Sequence, residues 1–254
     1  MRQNWPERLW LVRHGQSQGN VARDAADEAG AHEIGIDVRD VDVPLSSLGV
    51  EQAKSAGRWF ASLPRDERPE IILSSPYVRA KQTAQIICDE GALAGGKGRT
   101  IIDERLRERE FGIFDRLTTL GTRERFPEEA AHRRRLGKFY HRPPGGESWA
   151  DVILRLRSML NTINLHYCDK RVLIVCHQVV VLCFRYILEE LDEQTILDID
   201  KRGDVLNCGI ATYEFEADAK GVCVPALELW NYGAPLEADG AAKTSAPDAM
   251  AGTR

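Results

Sequence analysis

Two arginines and two histidines of this sequence each come shortly after a short apolar segment. Arg13 and His14 directly follow the first apolar run, Arg79 lies beyond the second, and His177 follows a later one. A neutral imidazole is a competent nucleophile near neutral pH, and guanidinium groups bind oxyanions through several donors at once. If the chain brings these side chains together, they can carry out nucleophilic chemistry on an anionic substrate.

The elements that must position these residues are short strands that alternate with amphipathic segments, a pattern typical of an α/β protein with a largely parallel sheet. Helices are predicted to start at Ser75-Pro76 and at Ser148, which forms a capping box with Asp151. A further helix is predicted from about 177 to 189. The predicted strands cover residues 9–12, 71–73, 100–102, 172–175, 210–215 and 227–230.

The carboxyl ends of parallel strands meet at one edge of a sheet, which is where open α/β sheets bind their ligands. Arg13, His14, Arg79 and His177 are therefore predicted to converge there. Arg79 adds an independent indication, because a cation in the first turn of a helix opposes the helix dipole by about 0.3–1 kcal/mol unless an anion compensates. Taken alone, each of these residues is more simply interpreted as an ordinary surface or core residue. Their shared placement at the carboxyl ends of the strands favours a functional site.

Composition limits the class of protein. The chain has 254 residues, of which 43% are hydrophobic, and a formal net charge of −5. This length suits one domain, predicted over 1–233, and the charge favours neither nucleic-acid nor membrane binding. Residues 234–254 are rich in Ala, Gly, Asp and Pro and are expected to form a disordered tail.

The six cysteines show no C-x-x-C pair and no regular spacing, so neither a disulfide framework nor a zinc site is predicted. Reduced thiols and the lack of an apolar leader at the N-terminus favour a cytoplasmic protein. One basic stretch, 132–135, follows Glu128 and Glu129 at helical spacing and is interpreted as a solvated helix face. Homodimerisation is possible, and nothing in the composition decides it.

Several segments, in this order, resemble motifs of the histidine phosphatase superfamily in its phosphoglycerate-mutase-like branch. Residues 11–20 (LVRHGQSQGN) are similar to the R-H-G-x-S-x-x-N signature, and 44–53 (PLSSLGVEQA) to P-L-T-x-x-G-x-x-Q-A. Residues 74–84 (SSPYVRAKQTA) resemble S-S-P-x-x-R-x-x-Q-T-A, and 106–112 (LREREFG) resemble the acid loop L-x-E-x-x-x-G. The segments GES at 146–148 and VCH at 175–177 complete a resemblance that spans about 9–230.

The resemblance implies a three-layer α/β/α sandwich with a mostly parallel sheet and a small helical cap, expected around 114–147. It makes His14 the nucleophile, Glu108 the proton donor, and Arg13, Arg79 and His177 the groups that hold the phosphoryl group. A small phosphomonoester would be the substrate, and no metal or organic cofactor would be needed. Locally, Glu108 lies in a dense charged run and is singled out from Glu104 and Glu110 only by the motif.

Three further residues are secondary candidates for phosphate binding. The resemblance assigns hydrogen bonds to Ser17 and Asn20, although both residue types commonly cap turns. Gln178 stands where glycine usually follows the second histidine, and its backbone N–H can face a phosphate at a helix N-terminus. Gln16 replaces a glutamate found in many members, which concerns substrate preference more than the chemistry.

Three other functions stay open. Residues 15–19 match the G-x-S-x-G nucleophile elbow, which would make Ser17 the nucleophile of a serine hydrolase, although no strand precedes this one to build the oxyanion hole. A phospho-ligand binding protein without turnover would keep the same pocket. A phosphoglycerate-mutase-type transfer is also conceivable, but residues 111–116 lack the segment that retains the intermediate in mutases, so hydrolysis is predicted. The sequence leaves the physiological substrate open.

Overall fold

A computed structural model of the protein describes residues 5–93, 100–217 and 223–245. The strands are β1 (Arg8–Arg13), β2 (Ile71–Ser74), β3 (Ile101–Ile102), β4 (Arg171–Cys176), β5 (Ile210–Ala217) and β6 (Cys223–Tyr232). The helices are α1 (Gln18–Glu28), α2 (Ser47–Ser62), α3 (Val78–Gly91), α4 (Thr119–Arg125), α5 (Pro127–Leu136), α6 (Trp149–His166), α7 (Gln178–Leu188), α8 (Glu193–Arg202) and α9 (Ala234–Ala238).

The six strands form one sheet in the order β3-β2-β4-β1-β5-β6. The first four strands in this order are parallel to one another. At one side of the sheet, β5 is antiparallel to β1 and β6 is antiparallel to β5. Register aligns the ends of the central strands, because Arg13 pairs with Cys176 and Ser74 pairs with Val175. The residues that follow β1, β2 and β4 therefore emerge side by side, as the sequence predicts.

Helices cover both faces of the sheet, which confirms the predicted three-layer sandwich. Leu9 and Leu11 of β1 point to a core formed with α6, α7 and α8, whereas Trp10 and Val12 point to a core formed with α2 and α3. All four side chains are buried. Burial of each such side chain stabilises the fold by about 1.5–3 kcal/mol, which explains why this strand is apolar on both faces.

Two helix starts agree with the sequence and one does not. The capping box of Ser148 and Asp151 begins α6 as predicted. Helix α3, however, begins at Val78 with Tyr77 as its N-cap residue, so Ser75 does not cap it. The backbone N–H of Ser75 instead donates to the carbonyl of Val175, which prolongs the pairing of β2 with β4 and delays the helix.

The expected disorder from residue 234 is wrong for the part of that segment that the structure describes. Residues 234–238 form α9, which lies on α2; Leu236 is buried, and Asp239 pairs with Arg58. Thr244 bonds to Asn207. A few specific contacts repay the ordering of a segment whose composition alone suggests a loose chain. Residues 246–254 lie outside the described residues.

No helix among the described residues is both long and apolar enough to cross a lipid bilayer. Within the expected cap, 114–147, the chain forms α4 and α5. Helix α1 and residues 34–43, which the sequence analysis did not assign to the cap, lie on the same side of the sheet and line the same pocket as Phe114–Arg116.

Candidate active site

The four basic residues predicted to converge do so. Arg13 ends β1, His14 follows it, Arg79 lies in the first turn of α3, and His177 precedes α7 directly after β4. The rings of His14 and His177 are 5.0 Å apart between centroids, and Nε of Arg79 lies 3.3 Å from Nε2 of His14. All four side chains are at least nine-tenths buried. Arg13, His14 and Arg79 form the floor of a pocket at the carboxyl edge of the sheet, and His177 lies behind His14.

The imidazole of His14 is oriented by its own loop. Nδ1 lies 2.7 Å from the carbonyl oxygen of Gly15 and donates to it, so Nε2 carries the lone pair. Burial lowers the pKa of His14 well below its ordinary value, and the positive charges of Arg79 and Arg13 lower it further. The ring is therefore neutral near pH 7, with its nucleophilic nitrogen facing Arg79.

Arg79 already holds a carboxylate in this structure. Its Nη2 donates to Oδ2 of Asp40 over 3.1 Å, and its Nη1 donates to the Asp40 carbonyl oxygen over 2.6 Å. Its guanidinium also lies 4.8 Å from the centre of the Tyr77 ring. Asp40 supplies the compensating anion that a cation in the first turn of a helix requires. An incoming oxyanion would compete with this carboxylate for Arg79.

Arg13 is fixed by Gln178, the residue that departs from the usual glycine. Nη1 of Arg13 donates to Oε1 of Gln178 over 2.9 Å and also to the carbonyl oxygen of Val205. The amide group of Gln178 in turn donates to Oδ1 of Asp204 over 3.1 Å. The side chain of Gln178 therefore positions an arginine, a role that the sequence analysis, which considered its backbone N–H, did not predict.

His177 faces the acid loop. Its Nε2 lies 2.7 Å from Oγ of Ser75, whereas its buried Nδ1 has no hydrogen-bond partner and lies 3.8 Å from Oε2 of Glu108. Burial lowers the pKa of His177 well below its usual value, with Arg79 the next cause. Ser75 thus orients the ring so that Nδ1 and the Glu108 carboxylate face the same space.

The loop that carries Glu108 is held by Glu147 and Arg155. Oε1 of Glu147 accepts hydrogen bonds from Arg107 (2.6 Å) and Arg155 (3.0 Å), and its Oε2 accepts from the backbone N–H of Glu110 (3.1 Å). Arg155 also donates to the carbonyl oxygens of residues 105 and 108. These contacts fix the backbone from which the Glu108 side chain reaches the pocket.

This constellation matches a known family. The model of the histidine phosphatase superfamily (branch 1) matches residues 9–226. The protein belongs to that superfamily. The chain is 30% identical over 194 residues to the 2,3-bisphosphoglycerate-dependent phosphoglycerate mutase of Methylorubrum populi, covering 76% of this chain and 84% of the relative. It is 30% identical over 214 residues to the mutase of the same name from Sinorhizobium fredii, covering 83% and 91%.

Solved structures of the superfamily share the fold. Mycobacterial glucosyl-3-phosphoglycerate phosphatase superposes with a TM-score of 0.66 and 25% identity, covering 89% of this chain and 98% of that one. The α-ribazole phosphatase of Shigella flexneri superposes with a TM-score of 0.66 and 21% identity, covering 89% and 96%. The family and its fold are thereby established for this chain.

Ser17 and Asn20 line the pocket and are hydrogen-bonded to each other. The backbone N–H of Asn20 donates to the Ser17 hydroxyl, and Oδ1 of Asn20 accepts from the backbone N–H of Ser17, which together form the capping box of α1. The serine that contacts a histidine is the fully buried Ser75. Among the described contacts, Ser17 thus lacks the adjacent base that a serine nucleophile requires.

Several supporting residues of the site were missed from the sequence. The Thr83 hydroxyl accepts from the backbone N–H of Gly15, and the amide of Asn207 donates to the His14 carbonyl oxygen over 3.0 Å. Thr83 could have been found, because it lies four residues after Arg79 and so on the same side of the helix. Asn207 lies in a turn and Asp40 begins a short 3-10 helix, and no local sequence pattern marks either residue.

The rest of the pocket combines apolar side chains with polar and charged ones. Above the basic floor its walls include the side chains of Ile34, Ile36, Val38, Val43, Phe111 and Phe114. Arg23, Asp115 and Arg116 add charges of both signs. The pocket can therefore hold an anionic group at its floor and an apolar group beside it.

Proposed function

We propose that this histidine phosphatase hydrolyses phosphomonoesters through a phosphohistidine on His14. One observation carries the proposal: the neutral, buried imidazole of His14 lines a pocket together with Arg13 and Arg79, and the ring of His177 contacts it from behind. The two guanidinium groups, with the single N–H of the neutral His177 ring, suit the oxygens of a transferring phosphoryl group, whose catalysis depends mainly on positioning and charge stabilisation.

The reaction would take two displacements. Nε2 of His14 attacks phosphorus, the bond from phosphorus to the ester oxygen breaks, and the Glu108 carboxylic acid gives its proton to that leaving oxygen. In the second displacement Glu108, now a carboxylate, takes a proton from water as the water oxygen attacks phosphorus and the N–P bond breaks. Inorganic phosphate leaves, and His14 and Glu108 return to their starting protonation states. General acid–base assistance of this kind contributes about 10²–10⁴-fold in rate.

Phosphoglycerate-mutase-type transfer is the second candidate, because the curated relatives carry that name at 30% identity. Two observations favour hydrolysis. The chain after the acid loop, residues 111–116, lacks a mutase-type segment that would retain an intermediate. Six apolar side chains lie in the pocket walls and suit an ester with an apolar or aromatic group.

The test is a trapping experiment with p-nitrophenyl phosphate, whose ring suits the apolar wall. The wild type is expected to release phosphate and, when quenched with alkali, to carry an acid-labile, alkali-stable phosphoryl group on His14. His14→Asn should lose both. The matched control is His32→Asn, because His32 is half exposed and pairs with Glu124 away from the floor.

Four results would count against the proposal. Turnover that persists in His14→Asn would exclude His14 as the nucleophile, and labelling of Ser17 by a fluorophosphonate would favour the serine-hydrolase alternative. A protein that binds phosphate without turning over any phosphomonoester would be a binding protein instead. Transfer to a second position of phosphoglycerate at a rate comparable with hydrolysis would favour the mutase.

A further inference from the structure

A second cluster of chemically competent side chains lies in the cap, apart from the basic floor. Glu129 and His132 are one turn apart on α5, and His141 follows that helix. Oε2 of Glu129 lies 3.5 Å from Nε2 of His141 and 4.0 Å from Nδ1 of His132. One ligand atom from each of the three residues lies within 4.8 Å of the other two.

His141 is the observation that points to a ligand. Its ring is completely buried, and neither of its nitrogens makes a hydrogen bond. Leaving a buried polar group without a hydrogen bond costs about 1–3 kcal/mol, so a structure normally retains one only when something else satisfies it. Nε2 points towards the Glu129 carboxylate at a distance longer than a good hydrogen bond. The space between them is of the size that a coordinated ion would bridge.

We propose that Glu129, His132 and His141 bind a divalent transition-metal ion of the zinc class. Two imidazoles and one carboxylate form a ligand set that zinc uses, with water as the fourth ligand. Bonds of about 2.0–2.2 Å in a tetrahedron place ligand atoms about 3.3–3.6 Å apart. The separation of Glu129 from His141 already meets this value. The half-exposed His132 side chain lies 4.0 Å from Glu129, so it has to move closer to complete the site.

The surrounding charges allow this assignment. The guanidinium of Arg133 lies near enough to oppose a cation there, and the Glu129 carboxylate offsets that charge. Arg133 is itself buried, which corrects the interpretation of residues 132–135 as a wholly solvated helix face.

A metal at this cluster would stiffen the wall of the phosphate pocket. The His141 ring is stacked on Phe114, with centroids 6.3 Å apart and an angle of 11° between the planes. Phe114 lines the pocket. The ion would tie α5 to the segment that follows it and hold the aromatic side chain behind which substrate binds. This role is structural and separate from the proposed phosphoryl chemistry.

The experiment is zinc binding by the full chain, stripped of metal and titrated in competition with a chromophoric chelator. We expect one equivalent of Zn²⁺ to bind and to raise Tm, because an ion that binds only the folded state stabilises it. His132→Ala should weaken the affinity by at least about tenfold and abolish the rise in Tm. His132 is half exposed, so this variant should fold. Co²⁺ in place of Zn²⁺ should give the intense visible absorption of a tetrahedral site in the wild type alone.

Three controls separate this site from other zinc-binding groups. His32→Ala removes an exposed His–Glu pair of similar chemistry and should keep full affinity. A Cys168→Ser, Cys223→Ser double variant removes two partly exposed thiols and should also keep it. His14→Asn should bind zinc normally while losing phosphatase activity, so the two proposals fail independently. Less than stoichiometric binding, or binding that His132→Ala leaves unchanged, would overturn the inference.

Discussion

At the scale of single residues, the active site depends on two imidazoles kept neutral by burial. His14 and His177 are almost completely inaccessible to solvent and lie beside two guanidinium groups. Protonation of either ring would place a third positive charge in a space already occupied by Arg13 and Arg79. The proposed chemistry needs a lone pair on Nε2 of His14, and the lowered pKa keeps that nitrogen unprotonated at neutral pH.

This arrangement predicts how stability depends on pH. The folded-state pKa values of His14 and His177 are lowered, so below the unfolded value of about 6.5 the unfolded chain binds more protons than the folded one. Their contribution to the free energy of unfolding is fully present above about pH 6.5 and is lost as the pH falls below that value. Each histidine adds a slope of up to about 1.4 kcal/mol per pH unit there. Urea denaturation from pH 7.5 to 5 should show it.

The matched comparison for this prediction is His14→Asn against His32→Asn. The first variant removes one buried titrating ring and should flatten the slope below pH 6.5. The second makes the same substitution at a half-exposed ring outside the pocket and is the reference for it. Equal slopes in the wild type and His14→Asn would mean that the ring of His14 is protonated in the folded state.

Asp40 gives a second prediction at this scale. Its carboxylate binds Nη2 of Arg79 in the place where an oxyanion would bind. Asp40→Asn removes that competing charge and should lower the inhibition constant of inorganic phosphate. The pair is partly exposed, so a change of about 1.4- to fivefold is expected, corresponding to the 0.2–1 kcal/mol of such pairs. Competitive inhibition kinetics measure it.

A weaker affinity for phosphate in Asp40→Asn would contradict competition and would mean that Asp40 mainly orients Arg79. Asp42→Asn is the suitable control, because Asp42 lies two residues away and pairs with the exposed Arg39. Its phosphate inhibition should match that of the wild type.

At the scale of elements, residues 14–17 form the loop between β1 and α1 that carries the proposed nucleophile. This nucleophile loop is held by direct backbone contact with α2. A Cβ atom added to Gly49 would lie 2.0 Å from the carbonyl oxygen of Gln16, and one added to Gly15 would lie 2.5 Å from that of Gly49. No side chain fits at either position. The two glycines let the first turn of α2 lie against the residues that follow His14.

Gly49→Ala should therefore displace the nucleophile loop. We expect a loss of about 1–3 kcal/mol in the free energy of unfolding, as for other overpacked sites, and a fall in kcat, because His14 moves with the loop. Denaturation and steady-state kinetics test both effects. Gly203→Ala is the control, since an added Cβ there meets nothing within 4 Å, and it should behave as the wild type. An unchanged kcat in Gly49→Ala would show that the contact is not needed for positioning.

The elements also show why sequence reasoning located the site but not its supports. Strands β1, β2 and β4 were predictable because each is a short apolar run, and parallel strands of one sheet must end at the same edge. His14 and His177 follow from that geometry. Ser75 was misassigned, because a serine before proline is typical of a helix start, and only the tertiary pairing of β2 with β4 overrides this preference.

Long-range contacts were beyond local patterns for the same reason. Asp40 reaches Arg79 from a loop 39 residues earlier, and the hydrogen bond from Asn207 to His14 spans 193 residues. Helices α1 and α8 were not predicted from the sequence, and each buries a single side chain, Ala26 in α1 and Ile196 in α8. The cap was placed by resemblance, and the contribution of residues 34–43 to its pocket required the three-dimensional structure.

At the scale of the whole molecule, the C-terminal segment is connected to the nucleophile loop through two buried amides. Nε2 of Gln52 donates to the Ala242 carbonyl oxygen and the Thr244 hydroxyl, both over 2.8 Å, while its Oε1 accepts from the backbone N–H of Gln16. Asn207 accepts from the Thr244 hydroxyl over 2.9 Å and donates to the carbonyl oxygen of His14. Two residues thus join the end of the described chain to both sides of the nucleophile.

A chain ending at Gly240 should therefore be impaired in catalysis as well as in stability. Without residues 241–245, polar atoms of Gln52 and Asn207 lose their partners, at about 1–3 kcal/mol for each group that stays buried. Gln52 and Asn207 then hold the nucleophile loop less rigidly, so kcat should fall more than KM rises. A chain ending at Ser245 keeps every described contact and is the matched control.

Substitutions of Thr244 test whether the C-terminal segment positions the nucleophile loop or only packs against α2. Thr244→Val keeps the shape but removes the group that joins Gln52 to Asn207, and it should lower kcat on an aryl phosphate with little change in KM. Thr244→Ser restores the hydroxyl and should recover most of the rate. Equal kcat values for the valine and serine variants would mean that the C-terminal segment only covers α2 and leaves the nucleophile unaffected.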